Sequence, residues 1–393
     1  MNTVKQPEIL LPKSDFEHWA VVACDQFTSE PEYWEEVKKY TDGHISAYNV
    51  ILPEAYLTQN NDAYIKSINE KMREYINADV FNEVNGFVLV ERSTSTGIRL
   101  GLMIEVDLTK YEFTPFADVP IKATEGTILD RIPPRVKIRE NAPLELPHIM
   151  LLCDDPKGML IERLYAEREK FKVLYDFDLC QNGGHIKGYL IDNPQEVFEI
   201  IDVLDSKEEK IKKYGKETEF LFAVGDGNHS LATAKACYEK APDEYNRYAL
   251  VELVNIYDKG LAFEPIHRVV FGATKKFIDG LGALGAGDTI KVIGANDFTV
   301  SGDTPTKISK IQKYIEQSLK DSTISGVDYV HGINSLTSVV ENNKGSIGIV
   351  MPKMEKNELF PYVLNNGVLP KKAFSMGEAQ DKRYYLEARR IRK

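Results

Sequence analysis

From residue 147 onward, short apolar segments alternate with longer segments in which apolar residues recur at helical spacing. The apolar segments have the length of buried strands, and the longer segments have the period of amphipathic helices. Strands are predicted over residues 148–153, 185–191, 220–224, 248–255, 261–270 and 289–293, with short strands near 328–331 and 346–351. Helices are predicted over residues 159–174, 194–204, 231–240, 275–284 and 307–319. This alternation predicts a mixed α/β (α+β) fold.

The first part of the chain has strands and helices of its own. A strand is predicted over residues 18–24, and helices are predicted from Pro31 and over residues 63–76, where the apolar residues form one stripe. Strands over residues 86–91 and 98–106 flank a polar turn, and this arrangement predicts a β-hairpin. We therefore expect an N-terminal α/β region.

Residues 124–141 are rich in Arg, Pro and Thr and have neither a helical nor a strand period. Irregular segments of this length inside a compact protein are usually functional or linking. We place a domain boundary here, between an N-terminal α/β region, residues 1–120, and a second domain, residues 121–393. In the second domain, residues 206–216 are predicted to be a solvated connection and residues 381–393 an amphipathic, basic surface helix.

Acidic side chains outnumber basic ones, with 60 Asp and Glu against 49 Lys and Arg and a net charge of −11. A surface of this sign repels the phosphate backbone, so no nucleic-acid partner is expected. No segment approaches the ~18 consecutive apolar residues that span a bilayer, and the N-terminus lacks the apolar core of a secretory signal. We expect no membrane partner and a cytoplasmic location, in which the four widely spaced cysteines are buried thiols.

The sharpest local pattern is FLFAVGDGNHSLATAK, residues 220–235, where an apolar strand, a glycine-containing loop and the start of a helix follow one another. Such a turn points several backbone N–H groups at one place, at the positive end of the helix dipole, and so forms an anion site. The glycines let the backbone approach a phosphate closely, and His229 adds a donor whose charge depends on pH. The predicted phosphate- or nucleotide-binding residues are Gly225, Gly227, Asn228, His229 and Ser230.

The same segment also fits an ordinary turn followed by a capped helix. Asn228 and Ser230 are both residue types that cap helices through their side chains. In favour of a ligand site, Asp226, Asn228, His229 and Ser230 crowd four polar groups beside a strand end. Ligands of α/β proteins bind at such strand ends.

Four segments together resemble a known family. They are HWAVVACDQFTSEPEYW, GDGNHSLATAK, FEPIHRVV and LPKKAFSMGEAQDKRYYLEARRI. They are similar to an uncharacterised bacterial and archaeal family known as domain of unknown function 1015, and the resemblance runs over nearly the whole chain. Most members of that family carry Asp-Gly-His-His-Arg where this chain has Asp226-Gly227-Asn228-His229-Ser230.

That loop in turn resembles the phosphate loop of the ParB/sulfiredoxin superfamily, which includes an archaeal free-serine kinase, the CTP-binding ParB proteins and ATP-using sulfiredoxin. The resemblance implies a ParB/sulfiredoxin-like core next to the N-terminal α/β region. By position, Asp226 and His229 match the Asp and His of the kinase's catalytic loop, whereas Ser230 replaces an Arg. This replacement removes a fork-shaped donor suited to phosphate and leaves one hydroxyl.

The resemblance to the kinase implies phosphoryl transfer from a nucleotide, ATP or ADP with Mg²⁺, to a small hydroxylated metabolite. Asp226 would bind the metal or act as a base, and His229 would hold phosphate oxygens. The alternatives are a nucleotide-binding sensor without catalysis and a hydrolase that releases phosphate or an acyl group. The expected partner is a nucleotide or another phosphorylated small molecule, and we allow for a homo-oligomer.

Several further residues are candidates for ligand contacts outside the loop. His267 and Arg268 in FEPIHRVV could clamp an anion and orient a ligand, or Arg268 could form a structural ion pair. Arg131 and Arg135 could close over an acidic ligand, although an exposed basic loop explains them as well. The remaining two candidates are Asp25, which could deprotonate a substrate hydroxyl or simply lie in an exposed turn, and Lys372, whose segment could fold back over an anion.

Overall fold

The computed structural model describes residues 3–58, 60–126, 130 and 132–393 of the chain. The chain forms two compact units, of which the first contains Met1–Leu261 together with Glu378–Lys393. The second unit contains Ala262–Gly377. The C-terminal segment therefore belongs to the same unit as the N-terminal two thirds of the chain.

The first unit contains both helices and strands up to Asn255. Its helices are α1 (Phe16–Trp19), α2 (Pro31–Thr41), α3 (Asp62–Asn77), α4 (Ile132–Arg139), α5 (Ile161–Ala166), α6 (Pro194–Asp205), α7 (Lys207–Tyr214) and α8 (Asn228–Lys240). Its strands are β1 (Val4–Lys5), β2 (Glu8–Pro12), β3 (Val21–Val22), β4 (Phe81–Asn85), β5 (Phe87–Thr94), β6 (Gly97–Asp107), β7 (Tyr111–Glu112), β8 (Ile121–Ala123), β9 (Leu144–Glu145), β10 (Met150–Cys153), β11 (Lys172–Asp178), β12 (His185–Ile191), β13 (Phe222–Asp226) and β14 (Tyr248–Asn255).

A large sheet forms the centre of the first unit. Among the described residues it has ten strands, in the order β11-β12-β5-β6-β14-β10-β13-β8-β7, with β1 also paired to β6. Strands β10 and β14 run parallel, as do β13 and β8, whereas β5, β6 and β14 pair antiparallel. The predicted mixed α/β fold class is therefore confirmed. The division predicted after residue 120 falls inside this unit, where β8 pairs with β13 through Ile121 and Phe222.

Both faces of this sheet are covered, so its strands are apolar on both sides. In β5, the side chains of Phe87 and Leu89 pack into one hydrophobic cluster and those of Val88 and Val90 into another. This alternation follows from the two-residue period of an extended strand. It explains why β5, β6 and β14 are nearly continuous apolar runs in the sequence.

The second unit has a smaller sheet and four described helices. Its strands are β15 (Phe263–Glu264), β16 (Ile266–Phe271), β17 (Asp288–Ile290), β18 (Val292–Ile293), β19 (Phe298–Val300), β20 (Gly326–His331), β21 (Ile347–Ile349) and β22 (Ser375–Met376). Its helices are α9 (Lys275–Leu281), α10 (Thr304–Lys320), α11 (Ile333–Asn342) and α12 (Leu359–Asn366). One sheet has the order β18-β21-β16-β20, and α10 contributes Ile308, Ile311 and Ile315 to the core.

The C-terminal segment does not form the predicted surface helix over residues 381–393. Instead β23 (Tyr384–Tyr385) pairs antiparallel with β3, and β24 (Arg389–Arg390) pairs antiparallel with β9. Arg383 and Arg389 are buried and form ion pairs with buried carboxylates on β14 and β9. The basic residues that indicated a solvated helix face are thus partly interior, because the sheet supplies acidic partners for them.

Other predicted elements are confirmed or corrected by the structure. The hairpin of β5 and β6, the helices α2, α3 and α6, and the strands β12 and β14 are confirmed. The helix predicted over residues 159–174 is wrong beyond α5, because Lys172 already begins β11. The connection predicted over residues 206–216 is also wrong. There α7 begins at a Ser206 side-chain cap and ends at Gly215, which has φ +72°.

Two further predictions need correction at the N-terminal side of the chain. Residues 18–24 form the end of α1 and the short strand β3, not one continuous strand. The segment 124–141, predicted to be irregular, contains α4 in its described part. All four cysteines are free thiols, three of them buried, as predicted.

None of the described helices is both long enough and apolar enough to span a bilayer.

Candidate functional site

The turn between β13 and α8 is very tight. The strand ends at Asp226, the helix begins at Asn228, and Gly227 lies between them with φ +81°. A Cβ atom at this position would lie 3.0 Å from the Cα atom of Ile149. Glycine is therefore required both by the left-handed backbone and by the close packing.

The first turn of α8 presents backbone donors at the end of this strand. The Leu231 amide donates to the Gly227 carbonyl at 3.0 Å, so the amides of Asn228, His229 and Ser230 precede the first intrahelical bond. Their partial positive charge, added to the helix dipole, favours an anion. The helix cap is Gly227, which has no side chain, so the alternative in which Asn228 or Ser230 caps the helix is wrong.

The side chain of Asn228 has a structural task. It is buried, and its amide oxygen accepts a hydrogen bond from the Thr124 amide at 3.2 Å. The Thr124 hydroxyl in turn donates to the Val224 carbonyl at 2.6 Å. These bonds hold the turn against the segment that follows β8, which fixes the position of the first helical amides.

His148, which lies just before β10, connects three other segments. Its Nε2 atom is 2.9 Å from the Ser230 hydroxyl and 3.8 Å from the Asp25 carboxylate. Its Nδ1 atom is 3.2 Å from the Tyr385 hydroxyl. The imidazole therefore lies between the first turn of α8, the loop after β3 and strand β23.

Asp226 forms an ion pair with Lys382 from the C-terminal segment, at 3.2 Å. Its other carboxylate oxygen accepts the Gly227 amide hydrogen at 2.9 Å. Burial pushes the pKa of Asp226 upward, but Lys382 and His148 more than offset it, so the pKa lies below its ordinary value. The side chains of Asp226 and Lys382 are 26% and 15% exposed, so solvent reaches both.

Lys382 also bears on the residue at the end of the loop. Ser230 stands where the resembling loops carry an Arg, and its hydroxyl is bonded to His148. Lys382 brings a cation to the same turn through its contact with Asp226. A lysine offers a point charge for an anion, where an arginine would offer a planar fork.

A second set of contacts lies on the other side of His148. The Tyr385 hydroxyl donates to the Cys24 sulfur at 2.9 Å and accepts the Cys24 amide hydrogen at 3.1 Å. Burial, with Asp25 nearby, raises the pKa of Cys24 to about 12. Cys24 is therefore a neutral thiol at physiological pH and a poor nucleophile. The Cys24 carbonyl accepts from the Glu54 amide, and the Glu54 side chain forms an ion pair with Arg135.

The structure thus brings several predicted residues together in the first unit. Asp25, Asp226 and Ser230 surround His148 or its direct partners, and Arg135 is linked to the Cys24 loop through Glu54. Gly225 and His229 are half-buried at the end of β13 and the start of α8. Arg131 lies outside the described residues.

Three other predicted residues, His267, Arg268 and Lys372, belong to the second unit. Arg268 is fully buried, and its guanidinium donates to Gln312 at 3.1 Å and to the carbonyls of Lys371 and Lys372 at 3.0 Å. His267 is buried and accepts a hydrogen bond from a backbone amide through Nδ1. Burial, with the charge of Arg268 adding to it, lowers the pKa of His267. These contacts alone account for both side chains as supports of β16.

The sequence analysis missed His148, Lys382 and Tyr385. His148 carried one usable signal, because it is a polar residue placed directly before a buried apolar run. Lys382 and Tyr385 lie in a basic segment whose pattern indicates a helix, and nothing local in it points to Asp226 or His148. Their contacts with residues before β10 and after β13 join positions far apart in the chain.

The fold and the site together define a mixed α/β protein with a polar centre at a strand–glycine–helix turn. The family described as "Protein of unknown function (DUF1015)" matches residues 7–384. The chain therefore belongs to this family. No curated protein matches the chain.

Two solved proteins are distantly similar in structure. A conserved hypothetical protein from Pyrococcus furiosus is 12% identical with a TM-score of 0.36, over 72% of this chain and 90% of that chain. A free serine kinase in complex with AMP is 9% identical with a TM-score of 0.41, over 74% of this chain and 92% of that chain. A variant of that kinase in complex with ADP is 8% identical with a TM-score of 0.41.

Proposed function

We propose that this protein transfers a phosphoryl group from ATP or ADP to a small hydroxylated metabolite at the start of α8. The observation that carries the proposal is the convergence on one turn of a cation, two carboxylates and an imidazole. Lys382 contacts Asp226, and His148 lies between Ser230 and Asp25. Phosphoryl transfer needs positioning and charge compensation more than covalent chemistry, and this set of groups offers both.

The phosphate oxygens would be held by the amides at the beginning of α8. The amides of Asn228, His229 and Ser230 precede the first intrahelical bond, and the His229 side chain lies beside them. Lys382 adds a full positive charge at the same turn. A bound phosphate would share the ammonium of Lys382 with Asp226, which stabilises the complex through charge-assisted hydrogen bonds.

Asp226 is the residue that fits a magnesium ion. Its pKa lies below the ordinary value, so it is ionised at neutral pH, and its side chain is partly open to solvent. Mg²⁺ usually keeps several waters and binds through one or two carboxylates and the substrate phosphates. When bound, the ion would neutralise charge on the phosphate oxygens.

Asp25 is placed to accept the proton of the metabolite hydroxyl. It is partly exposed in the loop after β3, and its carboxylate is 3.8 Å from His148 Nε2. In the transfer, the hydroxyl oxygen forms a bond to phosphorus while the bond from phosphorus to the leaving phosphate oxygen breaks. His148 keeps Asp25 and the Ser230 hydroxyl on either side of the reacting group.

The test is a turnover assay with purified protein, Mg²⁺ and ATP, ADP or CTP against a panel of amino acids and hydroxy acids. We expect nucleotide consumption that depends on the acceptor and yields a phosphorylated product. Lys382→Met should lower turnover by roughly 100-fold, the usual effect of removing one charge-stabilising donor. The matched control is Lys240→Met, which removes an exposed ion pair with Glu140 at the other end of α8 and should leave turnover unchanged.

Three other outcomes would overturn the proposal in distinct ways. Nucleotide that raises the melting temperature without any turnover would identify a sensor. Release of phosphate without a phosphorylated acceptor would identify a hydrolase. Nucleotide that neither binds nor is consumed would leave the turn without a phosphate ligand.

A further inference from the structure

Three side chains on the surface of the first unit meet at one point. The Asp15 carboxylate is 2.5 Å from His18 Nδ1 through one oxygen and 2.7 Å from His44 Nδ1 through the other. One potential ligand atom from each residue lies within 4.8 Å of those of the other two. In the described part of the chain, this is the group of three His, Cys, Asp or Glu side chains that meets this distance.

The backbone and the rings hold this arrangement in place. Asp15 precedes α1 in a left-handed conformation, with φ 59° and ψ 48°, which non-glycine residues seldom adopt. The imidazoles of His18 and His44 stack with their centroids 3.6 Å apart and 9° between their planes, and Tyr40 stacks on His18 at 4.6 Å. Because the rings are nearly parallel, both Nδ1 atoms face the same carboxylate.

We propose that Asp15, His18 and His44 form a binding site for one divalent transition-metal ion, with Zn²⁺ as the best fit. Two imidazole nitrogens and one carboxylate oxygen are preferred ligands of zinc, whereas Mg²⁺ and Ca²⁺ favour oxygen ligands throughout. In tetrahedral coordination with metal–ligand distances near 2.0–2.2 Å, the ligand atoms lie about 3.3 Å apart. The contacts of 2.5 and 2.7 Å need to open by less than about 1 Å, which side-chain rotation allows at the surface.

Metal binding would change the protonation of the two rings. In the hydrogen-bonded arrangement each neutral imidazole carries its proton on Nδ1 and donates it to Asp15. Zn²⁺ bound through Nδ1 requires a lone pair there, so each neutral ring must carry its proton on Nε2 instead. Three protein ligands leave a fourth position for water or another small ligand, as in zinc sites that are open to solvent.

The site would also join two segments of the fold. Asp15 and His44 are 29 residues apart, before α1 and after α2. An ion held by both would restrain this surface of the first unit and raise its stability in proportion to metal occupancy.

The test uses untagged full-length protein stripped with a chelator. Zn²⁺ is titrated by calorimetry, Co²⁺ by its visible absorption, and the ring tautomers are followed by nitrogen NMR of the histidines. We expect one equivalent of Zn²⁺, a raised melting temperature, and a shift of His18 and His44 from the Nδ1–H to the Nε2–H form. His44→Gln should weaken Zn²⁺ binding by more than about tenfold, since even the loss of outer-shell partners costs this much.

His185→Gln is the matched control. His185 is also exposed and contacts two carboxylates, Asp176 and Asp178, each at 2.7 Å, but one histidine supplies both nitrogens there. This variant should bind Zn²⁺ as tightly as the natural chain. Should His185→Gln lose the ion while His44→Gln keeps it, or should both bind like the natural chain, the site is only a hydrogen-bonded cluster. Because no readout involves nucleotide turnover, the outcome is independent of the proposed phosphoryl transfer.

Discussion

Lys382 and Arg383 are neighbours in the chain, yet they form ion pairs of very different character. Lys382 is 3.2 Å from Asp226, and the two side chains are 15% and 26% exposed. Arg383 is 2.9 Å from Glu252 on β14, and the two side chains are 3% and 1% exposed. Arg383 also pairs with Glu387, which is fully buried.

The difference follows from the extended backbone of the C-terminal segment. Successive side chains of an extended chain point to opposite sides, so one cation reaches the turn before α8 and the next enters the core. Burial pushes the pKa of Glu252 upward, but Arg383, Arg99 and Arg92 outweigh this effect and keep it ionised. A buried pair cannot exchange partners without a large cost, whereas a partly exposed pair can admit a ligand. Burial thus separates the structural cation from the one available for function.

The largest expected effect comes from Arg383→Met. Removal of the guanidinium leaves Glu252 and Glu387 buried without their shared cation, so the free energy of unfolding should fall by about 3–5 kcal/mol. Urea unfolding followed by tryptophan fluorescence measures it, because Trp19 and Trp34 are both buried in the first unit. Arg390→Met is the matched control, since Arg390 is more exposed and pairs with Glu83 at 3.6 Å. A loss no larger than that of the control would remove the distinction between the two kinds of pair.

The next effect concerns Arg268, which resembles Arg383 in its burial. Arg268→Met removes donors to Gln312 and to two backbone carbonyls, and we expect a loss of about 2–3 kcal/mol in the second unit. Hydrogen exchange of the amides in β16 and β20 measures this loss locally. Normal protection combined with lost turnover would instead favour the predicted ligand-orienting role of His267 and Arg268.

The smallest effect is the contribution of the Asp226–Lys382 pair to stability and its dependence on pH. Asp226→Asn should cost only about 1 kcal/mol at neutral pH, because both side chains reach solvent. The pKa of Asp226 is lowered in the folded protein, so this contribution is present above the unfolded pKa of ~3.9. It is lost as the pH falls through the lower folded value.

Unfolding free energies of the natural chain and of Asp226→Asn, measured from pH 7 downward, test this dependence. The gap between them should stay constant to about pH 5 and then close in more acidic solution. A gap that widens toward acid, or one as large as that of Arg383→Met, would show that Asp226 is a buried structural acid.

The turn at the candidate site was accessible to sequence reasoning because its signals are local. An apolar strand, a glycine and a run of helix-forming residues determine the backbone over about a dozen residues. The position of Gly227 follows from one left-handed φ and one close contact with Ile149. The polar partners of that turn were not accessible, because Ser230 is 82 residues from His148, and Tyr385 is 237 residues from it.

The C-terminal segment shows why a charge pattern can mislead. Amphipathic spacing of basic residues has the same appearance whether the charges face water or buried carboxylates. Residues 381–393 were therefore predicted as a surface helix, whereas Arg383 and Arg389 are interior and the segment pairs with β3 and β9. The partners, Glu252 and Glu145, lie in strands that read simply as apolar runs with one acid.

The amino-acid sequence by itself determined the alternation of strands and helices, the hairpin of β5 and β6, and the tight turn before α8. These features depend on backbone preferences and hydrophobic period within a few residues. Only the tertiary structure decided that Lys382 meets Asp226, that His148 reaches Ser230, and that Asp15 meets both His18 and His44. Such contacts depend on which distant side chains the folded sheet and its loops bring within bonding distance, and no local preference specifies that.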